Sequence, residues 1–366
     1  MLASTEERMH EIEEEIRRTP YNKATQKHLG RLRAKLAKLR EDVARPKGPR
    51  REGPGLRKAG DATVAIAGYP SVGKSTLLNL ITEAASQVGD YDFTTLRAVP
   101  GILAHRGARI QLLDLPGLTE GAAQGRGRGR EVLSQARIAD LALLMVDVER
   151  PDPEPLWREL HDGGLRLNEA HPRVTVHRTD RGGLKVIFSV PQTGLDEDTV
   201  RAVAREWGLL NGEVVVQEDL TLQRLVDHFA GNRVYVPALL VLNKIDLIEE
   251  TTLARIQEDL RGWTVIPISA REESGVESLI ETIYGRLSFI RVYLKPRGQR
   301  DVSEEPVILQ SGATVEDVCG LLHGGFVERF RYAEVRGPSA RFRDQRVGME
   351  HTLLDGDVLS IVTRPG

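Results

Sequence analysis

Apolar positions are spaced in two different ways along this chain. In residues 1–44 they recur at helical intervals. Ile12 and Ile16 share a face, and Leu29, Leu32, Leu36, Leu39 and Val43 form a stripe at steps of three and four. Pro20 separates the two runs. The spacing predicts a helical hairpin whose first helix opens with Ser4 and Glu7 at capping-box distance. The leucine stripe has two possible uses, packing inside its own hairpin or pairing with a second chain, and the first is the simpler expectation.

From Ala62 the texture changes to short, continuous apolar runs: ATVAIAG, RIQLLDL, LALLMVDV, PALLVLNKID and WTVIPIS. Mixed segments such as STLLNLITEAAS and EVLSQARIAD separate them. Buried parallel strands alternating with helices give this pattern, so a doubly wound α/β domain is predicted. Residues 150–235 interrupt it. There VTVHRTDRGGLKVIFSV reads as a hairpin turning at Gly-Gly, followed by the helical DEDTVRAVAREWGLL. A second departure begins near 289. VILQSGATVEDVCGLLH reads as a strand and a helix capped by Thr314 and Asp317, and DGDVLSIV closes with a strand, so a small α+β domain is expected. The predicted segments are 1–60, 61–149, 150–235, 236–288 and 289–366.

Composition narrows the function classes. The 366 residues are 40% hydrophobic and 28% charged, with a net charge of −2. A molecule of that charge is not a polycation, so sequence-specific DNA is not an expected partner and any nucleic-acid contact must come from a local patch. One such patch runs from Lys23 to Lys58, with 13 Lys/Arg against 3 Asp/Glu. It reads equally as a solvated helix face plus linker or as a contact to a phosphate backbone or ribosome. Its end, RPKGPRREGPGLRKAG (45–60), has linker composition. The single cysteine, Cys319, cannot form an internal disulfide and reads as a small buried apolar residue. The acidic N-terminus lacks the apolar segment of a signal peptide, and no apolar run approaches the roughly 20 residues that span a bilayer. A cytoplasmic protein without membrane contact is expected.

The chemistry sits where strands end. ATVAIA runs into Gly68-Tyr69-Pro70-Ser71-Val72-Gly73-Lys74-Ser75-Thr76, the pattern G-x-x-x-x-G-K-S with a helical sequence after it. Glycines let the backbone approach a phosphate chain closely, so that N–H groups can point inward. Lys74 reaches the β- and γ-phosphates, and Ser75 offers a hydroxyl to Mg²⁺. Asp114 closes RIQLLDL, where a P-loop enzyme places the acid of its Mg²⁺ shell. Three residues on, the N–H of Gly117 can sense a γ-phosphate. Asn243-Lys244-Ile245-Asp246 follows PALLVL. The Asp246 carboxylate can accept from guanine N1–H and the 2-amino group, which adenine lacks. Ser269-Ala270 ends WTVIPIS, where a backbone N–H can meet guanine O6. The order of these four motifs reads as GTP binding, not ATP binding.

At this point the chain resembles the Obg superfamily of GTPases, and within it the developmentally regulated GTP-binding family. KATQKHLGRLRAKLAKLRE, GYPSVGKSTLLN, YDFTTL, DLPGLTEGAAQGRGRGREVLSQAR, GNRVYVPALLVLNKID, YLKPRGQRDVSEEPVIL and QRVGMEHTLLDGDVLSIV carry the likeness, which is weakest around 150–230. The resemblance implies four parts. These are a helix-turn-helix-like N-terminal region, a P-loop GTPase domain, an inserted α/β domain of ribosomal-protein-like fold, and a C-terminal TGS domain of β-grasp shape. Spacing supports the insertion independently, because Asp114 and Asn243 lie 129 residues apart, more than one βαβ unit needs.

The resemblance also assigns two switches. Phe93-Thr94-Thr95-Leu96 is the first, with Thr95, or alternatively its neighbour Thr94, closing over Mg²⁺ when GTP is bound. DLPGLTEGAAQGRGRGR is the second, its glycines giving mobility and Arg126, Arg128 and Arg130 touching phosphate or a partner. Read alone, GRGRGR is also compatible with a disordered RNA-binding tail. Many GTPases place a water-orienting Gln directly after D-x-x-G, but here the residue is Leu118. Slow intrinsic hydrolysis is expected, resting on Lys74, Thr95, Gly117 and Mg²⁺ and completed by a partner or by K⁺. Related GTPases commonly hold K⁺ with a P-loop Asn; this chain has Ser71 at that place. The function implied is a GTP-hydrolysing switch linked to translation, with the ribosome or ribosomal RNA, and a stabilising or stimulating protein, as partners. The alternatives are an Obg-type ribosome-assembly GTPase and an adaptor that binds RNA and nucleotide without turnover.

Overall fold

The computed structural model describes residues 5–44, 60–82, 101–115, 136–296, 301–322 and 324–364. Two helices open the chain, α1 (Thr5–Arg18) and α2 (Gln26–Ala44). Between them the Asn22 side-chain oxygen accepts from the N–H groups of Ala24 and Thr25, each at 3.0 Å, which fixes the entry to α2. The expected cap at Ser4 lies outside the described residues, as does most of the 45–60 linker. Next come β1 (Ala62–Gly68), α3 (Lys74–Ile81), β2 (Gly101–His105), β3 (Ala108–Leu115), β4 (Leu141–Asp147) and the helix Glu154–Asp162. The middle of the chain holds β5 (Leu165–Leu167), β6 (Val174–Arg178), β7 (Leu184–Phe188), the helix Glu197–Glu206, β8 (Gly212–Val216), the helix Leu222–Ala230 and β9 (Val234–Val236). β10 (Ala238–Asn243), the helix Glu250–Asp259, β11 (Val265–Pro267) and the helix Val276–Leu287 follow. The chain ends with β12 (Phe289–Leu294), β13 (Val307–Gln310), the helices Val315–Leu322 and Gly324–Arg329, β14 (Phe330–Arg336), β15 (Gln345–Val347) and β16 (Asp357–Thr363).

These elements fall into two compact units, one drawn from 1–55 and 164–235, the other from 56–163 and 236–366. The second unit contains a six-stranded sheet in the order β11-β10-β4-β1-β3-β2. β1 runs parallel to β3 and β4, and β10 runs parallel to β4 and β11. Only β2, an edge strand the apolar pattern did not assign, is antiparallel. β1, β4 and β10 are buried at every position, which is why they read as unbroken apolar runs. On one face Val64, Ile66, Leu143 and Val241 pack against Leu77 of α3 and against Leu279 and Ile283 of the Val276–Leu287 helix. On the other, Ala65, Leu113, Leu144 and Leu240 are also buried.

The same unit carries a five-stranded sheet, β13-β12-β16-β14-β15, in which β12 and β16 are parallel and the other pairs antiparallel. The Val315–Leu322 helix presses Val315, Val318 and Cys319 onto Val292, Ala333, Val335 and Leu359. The Asp317 carboxylate accepts from the Thr314 N–H at 2.7 Å and from its hydroxyl at 2.9 Å, as the capping spacing predicts. Cys319 is a buried core residue, and burial pushes its thiol up from the ordinary value.

The other unit corrects three expectations. First, β6 and β7 do not form a hairpin. β8 lies between them, antiparallel to β6 and parallel to β7. The reason is a crossover: the Glu197–Glu206 helix carries the chain from β7 to β8 and leaves Val214 and Val216 buried mid-sheet. Second, the leucine stripe of α2 serves two surfaces. Leu32 and Leu36 meet Ile12 of α1, whereas Leu29, Ala34 and Ala37 join a core with Val200, Val203 and Leu225. Gly30 permits that approach, since a Cβ there would sit 3.2 Å from the Thr199 methyl and 3.3 Å from Val203 and Leu222. The helical region therefore shares a unit with 164–235 and does not stand alone. Third, residues 150–163, expected in the insertion, belong to the sheet unit, where Leu156 and Leu160 are buried.

A buried ionic cluster ties this unit together. Arg166 donates to both oxygens of Asp227, at 2.6 and 2.8 Å, and Arg233 adds a third charged bond at 2.8 Å. Burial alone would raise the Asp227 carboxyl; the two guanidinium groups override it and hold it below the usual carboxylate range.

Candidate nucleotide site

The carboxyl ends of four neighbouring strands meet at one sheet edge. Gly68 is level with Met145, Asp114 with Ile66, and Asn243 with Asp147. This edge is where open α/β sheets bind ligands. β1 ends in the P-loop, and the loop requires its glycines. A Cβ on Gly68 would stand 2.8 Å from the Met145 carbonyl oxygen, and one on Gly73 would collide with the Asn243 side-chain amide. Gly73 also has φ 97°, a left-handed conformation, and it caps the N-terminus of α3. The first N–H groups of α3 consequently face the loop as an anion seat. Ser71, also left-handed at φ 61°, is exposed, as are Pro70, Ser75 and Thr76; Val72 is buried.

Lys74 Nζ donates to the carbonyls of Gly68 and Tyr69 at 2.8 and 2.9 Å. Burial lowers its pKa, and the nearby Asp114 carboxylate opposes that shift. Asp114 shows the complementary effect: burial raises its carboxyl and Lys74 pulls it back. Asp114 Oδ1 is buried and accepts no hydrogen bond from the described residues. A buried lone carboxylate oxygen beside a lysine, at the mouth of a P-loop, is the donor expected of a cation shell.

The base-side residues interlock with the P-loop. Asn243, 3% exposed, donates from Nδ2 to the Val72 carbonyl at 2.8 Å and accepts at Oδ1 from the Ala270 N–H at 3.0 Å. That second bond ties the backbone of the Ser269-Ala270 turn to the base loop. The Ser269 N–H is likewise given to the Ser274 carbonyl, at 2.9 Å. Ser269 Oγ donates to Asp246 Oδ1 at 2.6 Å and accepts from the Glu272 N–H at 3.1 Å, which orients the exposed Asp246 carboxylate. Lys244 adopts a left-handed backbone, φ 64°. Its ammonium pairs with Asp147 at 2.6 Å and Glu149 at 3.0 Å, and those two bonds raise its pKa. Sequence reasoning passed over Asp147 and Glu149. The signal available was an acidic residue closing LALLMVD at the same edge as the P-loop. Phe93, Thr94, Thr95, Gly117 and the GRGRGR run lie outside the described residues.

A P-loop on a mostly parallel sheet, with an N-K-x-D loop bonded to it, defines a GTPase domain. Comparison with known proteins agrees. A family model described as "50S ribosome-binding GTPase" matches residues 63–177, one for the "C-terminal region of MMR_HSR1 domain" matches 181–289, and a TGS domain matches 290–363. An uncharacterized GTP-binding protein of Methanocaldococcus jannaschii is 52% identical over 98% of this chain and 93% of its own length. Developmentally-regulated GTP-binding protein 1 of Xenopus laevis is 41% identical, covering 99% of this chain and all of that one. Developmentally-regulated GTP-binding protein 2 of Homo sapiens is 41% identical, with 98% and 99% covered. The chain belongs to the developmentally regulated GTP-binding protein family. It is a GTP-binding protein with a GTP-hydrolysing domain and a C-terminal TGS domain.

Proposed function

We propose that this GTPase is a Mg²⁺-dependent switch that acts on the ribosome or ribosomal RNA in the cytoplasm. The observation that carries the Mg²⁺ part is the buried Asp114 Oδ1, which has no donor among the described residues. Ser75 at the start of α3 suits the same ion, and Thr95 completes the proposed shell. Bound Mg²⁺ supplies charge neutralisation across the phosphates. The chain's own residues supply the rest. Lys74 turns its ammonium from the P-loop carbonyls to the β- and γ-phosphates, and the N–H groups of the P-loop and α3 hold the chain of phosphates. Gly117 contributes a backbone N–H to the γ-phosphate. Asp246 accepts from the guanine edge, Lys244 lies beside it, and Asn243, Ser269 and Ala270 fix the loop.

Leu118 cannot orient water, so the intrinsic rate is slow and a partner protein or a monovalent cation completes the site. Equal turnover in NaCl and KCl would eliminate the cation. Two features support a ribosomal target: the description of the family model that matches 63–177, and the excess of Lys/Arg over Asp/Glu between Lys23 and Lys58. The test is co-sedimentation with purified ribosomes at physiological salt, comparing a non-hydrolysable GTP analogue with GDP. Binding with the analogue alone is the expected result. Binding in neither state would remove the ribosome from the reading and leave the GTPase intact.

A further inference from the structure

The turn that follows β4 reaches both loops of the nucleotide site. Asp147 Oδ2 holds the Lys244 ammonium at 2.6 Å, and Glu149 holds it at 3.0 Å. Asp147 Oδ1 is occupied within the turn, accepting from the N–H of Glu149 at 3.2 Å and of Arg150 at 2.9 Å. The next side chain points the other way: the Arg150 guanidinium lies 4.0 Å from the ring centre of Tyr69, the second residue of the P-loop. The Tyr69 hydroxyl donates to the Asp152 carbonyl at 3.0 Å. Six residues therefore grip the base loop with two carboxylates and the phosphate loop with a stacked guanidinium and a carbonyl.

We propose that residues 147–152 form a positioning clasp, in which Asp147, aided by Glu149, sets Lys244 for the base and Arg150 sets Tyr69 for the phosphates. Lys244 is a non-glycine residue in the left-handed region, a conformation that persists only where contacts over-determine it. The Asp147 anchor is such a contact. Its side chain is only 10% exposed, so the bond is short, charge-assisted and poorly screened. Glu149, 70% exposed, adds less. The clasp acts through Lys244 and Tyr69. It also makes base and phosphate recognition interdependent, because one turn holds both loops.

The inference rests on reading Asn243–Asp246 as the base loop. Its test is a double-mutant cycle on GDP and GTP affinity, by calorimetry, in the full chain with Asp147→Asn, Lys244→Met and the double variant. Asparagine retains the Oδ1 acceptor that holds the turn and loses the charge on Lys244. Asp147→Asn is expected to weaken both nucleotides about tenfold, the scale of one charged hydrogen bond, and to raise KM rather than lower kcat. In the Lys244→Met background it is expected to add nothing. Wild-type affinity in Asp147→Asn, or the same loss with and without Lys244, would overturn the proposal. If Asp147→Asn does not fold, Glu149→Gln is used in the same cycle, with about a twofold loss that vanishes in Lys244→Met; no loss, or a loss that persists, overturns the proposal. Asp246→Asn in the same assay separates the two readings. An unchanged GTP/ATP preference there would defeat the base-loop assignment. A collapsed preference together with a neutral Asp147→Asn would defeat the clasp alone.

Discussion

Two carboxylates with buried oxygens, Asp227 in one unit and Asp114 in the other, are satisfied to opposite degrees. Asp227, in the unit that holds the insertion, accepts three charged bonds from Arg166 and Arg233, and its carboxyl lies below the usual range. Asp114, in the sheet unit, has a buried oxygen with no donor among the described residues, and burial holds its carboxyl above the usual range despite Lys74. Folding stabilises the first charge and tolerates the second. A carboxylate with every lone pair taken is a structural member. One left short of partners, at a sheet edge beside a P-loop, is set up for a ligand.

The largest expected effect breaks the saturated cluster. Asp227→Asn leaves the buried Arg166 guanidinium and the partly buried Arg233 without their counter-charge and should cost about 3–5 kcal/mol. Faster hydrogen exchange across Leu222–Ala230, with unchanged exchange in β1 and β4, is the check. Asp114→Asn sharpens the contrast by reversing the balance of stability and activity. GTP turnover should fall by about 10²–10³. Stability of the nucleotide-free protein should rise by about 1 kcal/mol, because the burial cost of the Asp114 charge outweighs its attraction to Lys74. A denaturant midpoint that drops as far as for Asp227→Asn would show that the two carboxylates do the same work.

Acid titration gives a smaller effect with opposite signs. The Asp227 pKa is depressed, so its stabilisation is present above the ordinary carboxylate value and is lost as pH falls through its lowered value. The Asp114 pKa is raised, so the nucleotide-free fold gains stability as pH falls through a window above the ordinary value. Stability measured between pH 7 and 3 should therefore show the Asp114 gain first and the Asp227 loss later. Asp114→Asn should abolish the early rise alone.

The two regions also differ in how legible they were from sequence. The P-loop, Asp114 and Asn243–Asp246 were readable because each is a short contiguous motif at the end of an all-apolar strand. Asp147 and Glu149 were not, since they meet Lys244 only through the register of β4 on β10. The commitment of the Ala270 N–H to Asn243 was hidden for the same reason. In the insertion, local pattern misled. Gly182 and Gly183 do turn the chain, both with positive φ, yet β8 enters between the strands they join. A period-two pattern names a strand but not its neighbour. The leucine stripe of α2 was likewise read correctly as apolar, but Ala34, Ala37 and Gly30 gave no hint of the second surface they pack on.

The most direct test of the contrast is the Mg²⁺ dependence of GTP affinity, measured by calorimetry on the wild type and on Asp114→Asn. Tighter GTP binding with Mg²⁺ in the wild type, and no such gain in Asp114→Asn, is the predicted result. An equal gain in both proteins would contradict the account, because the Asp114 carboxylate would then have no part in seating the ion.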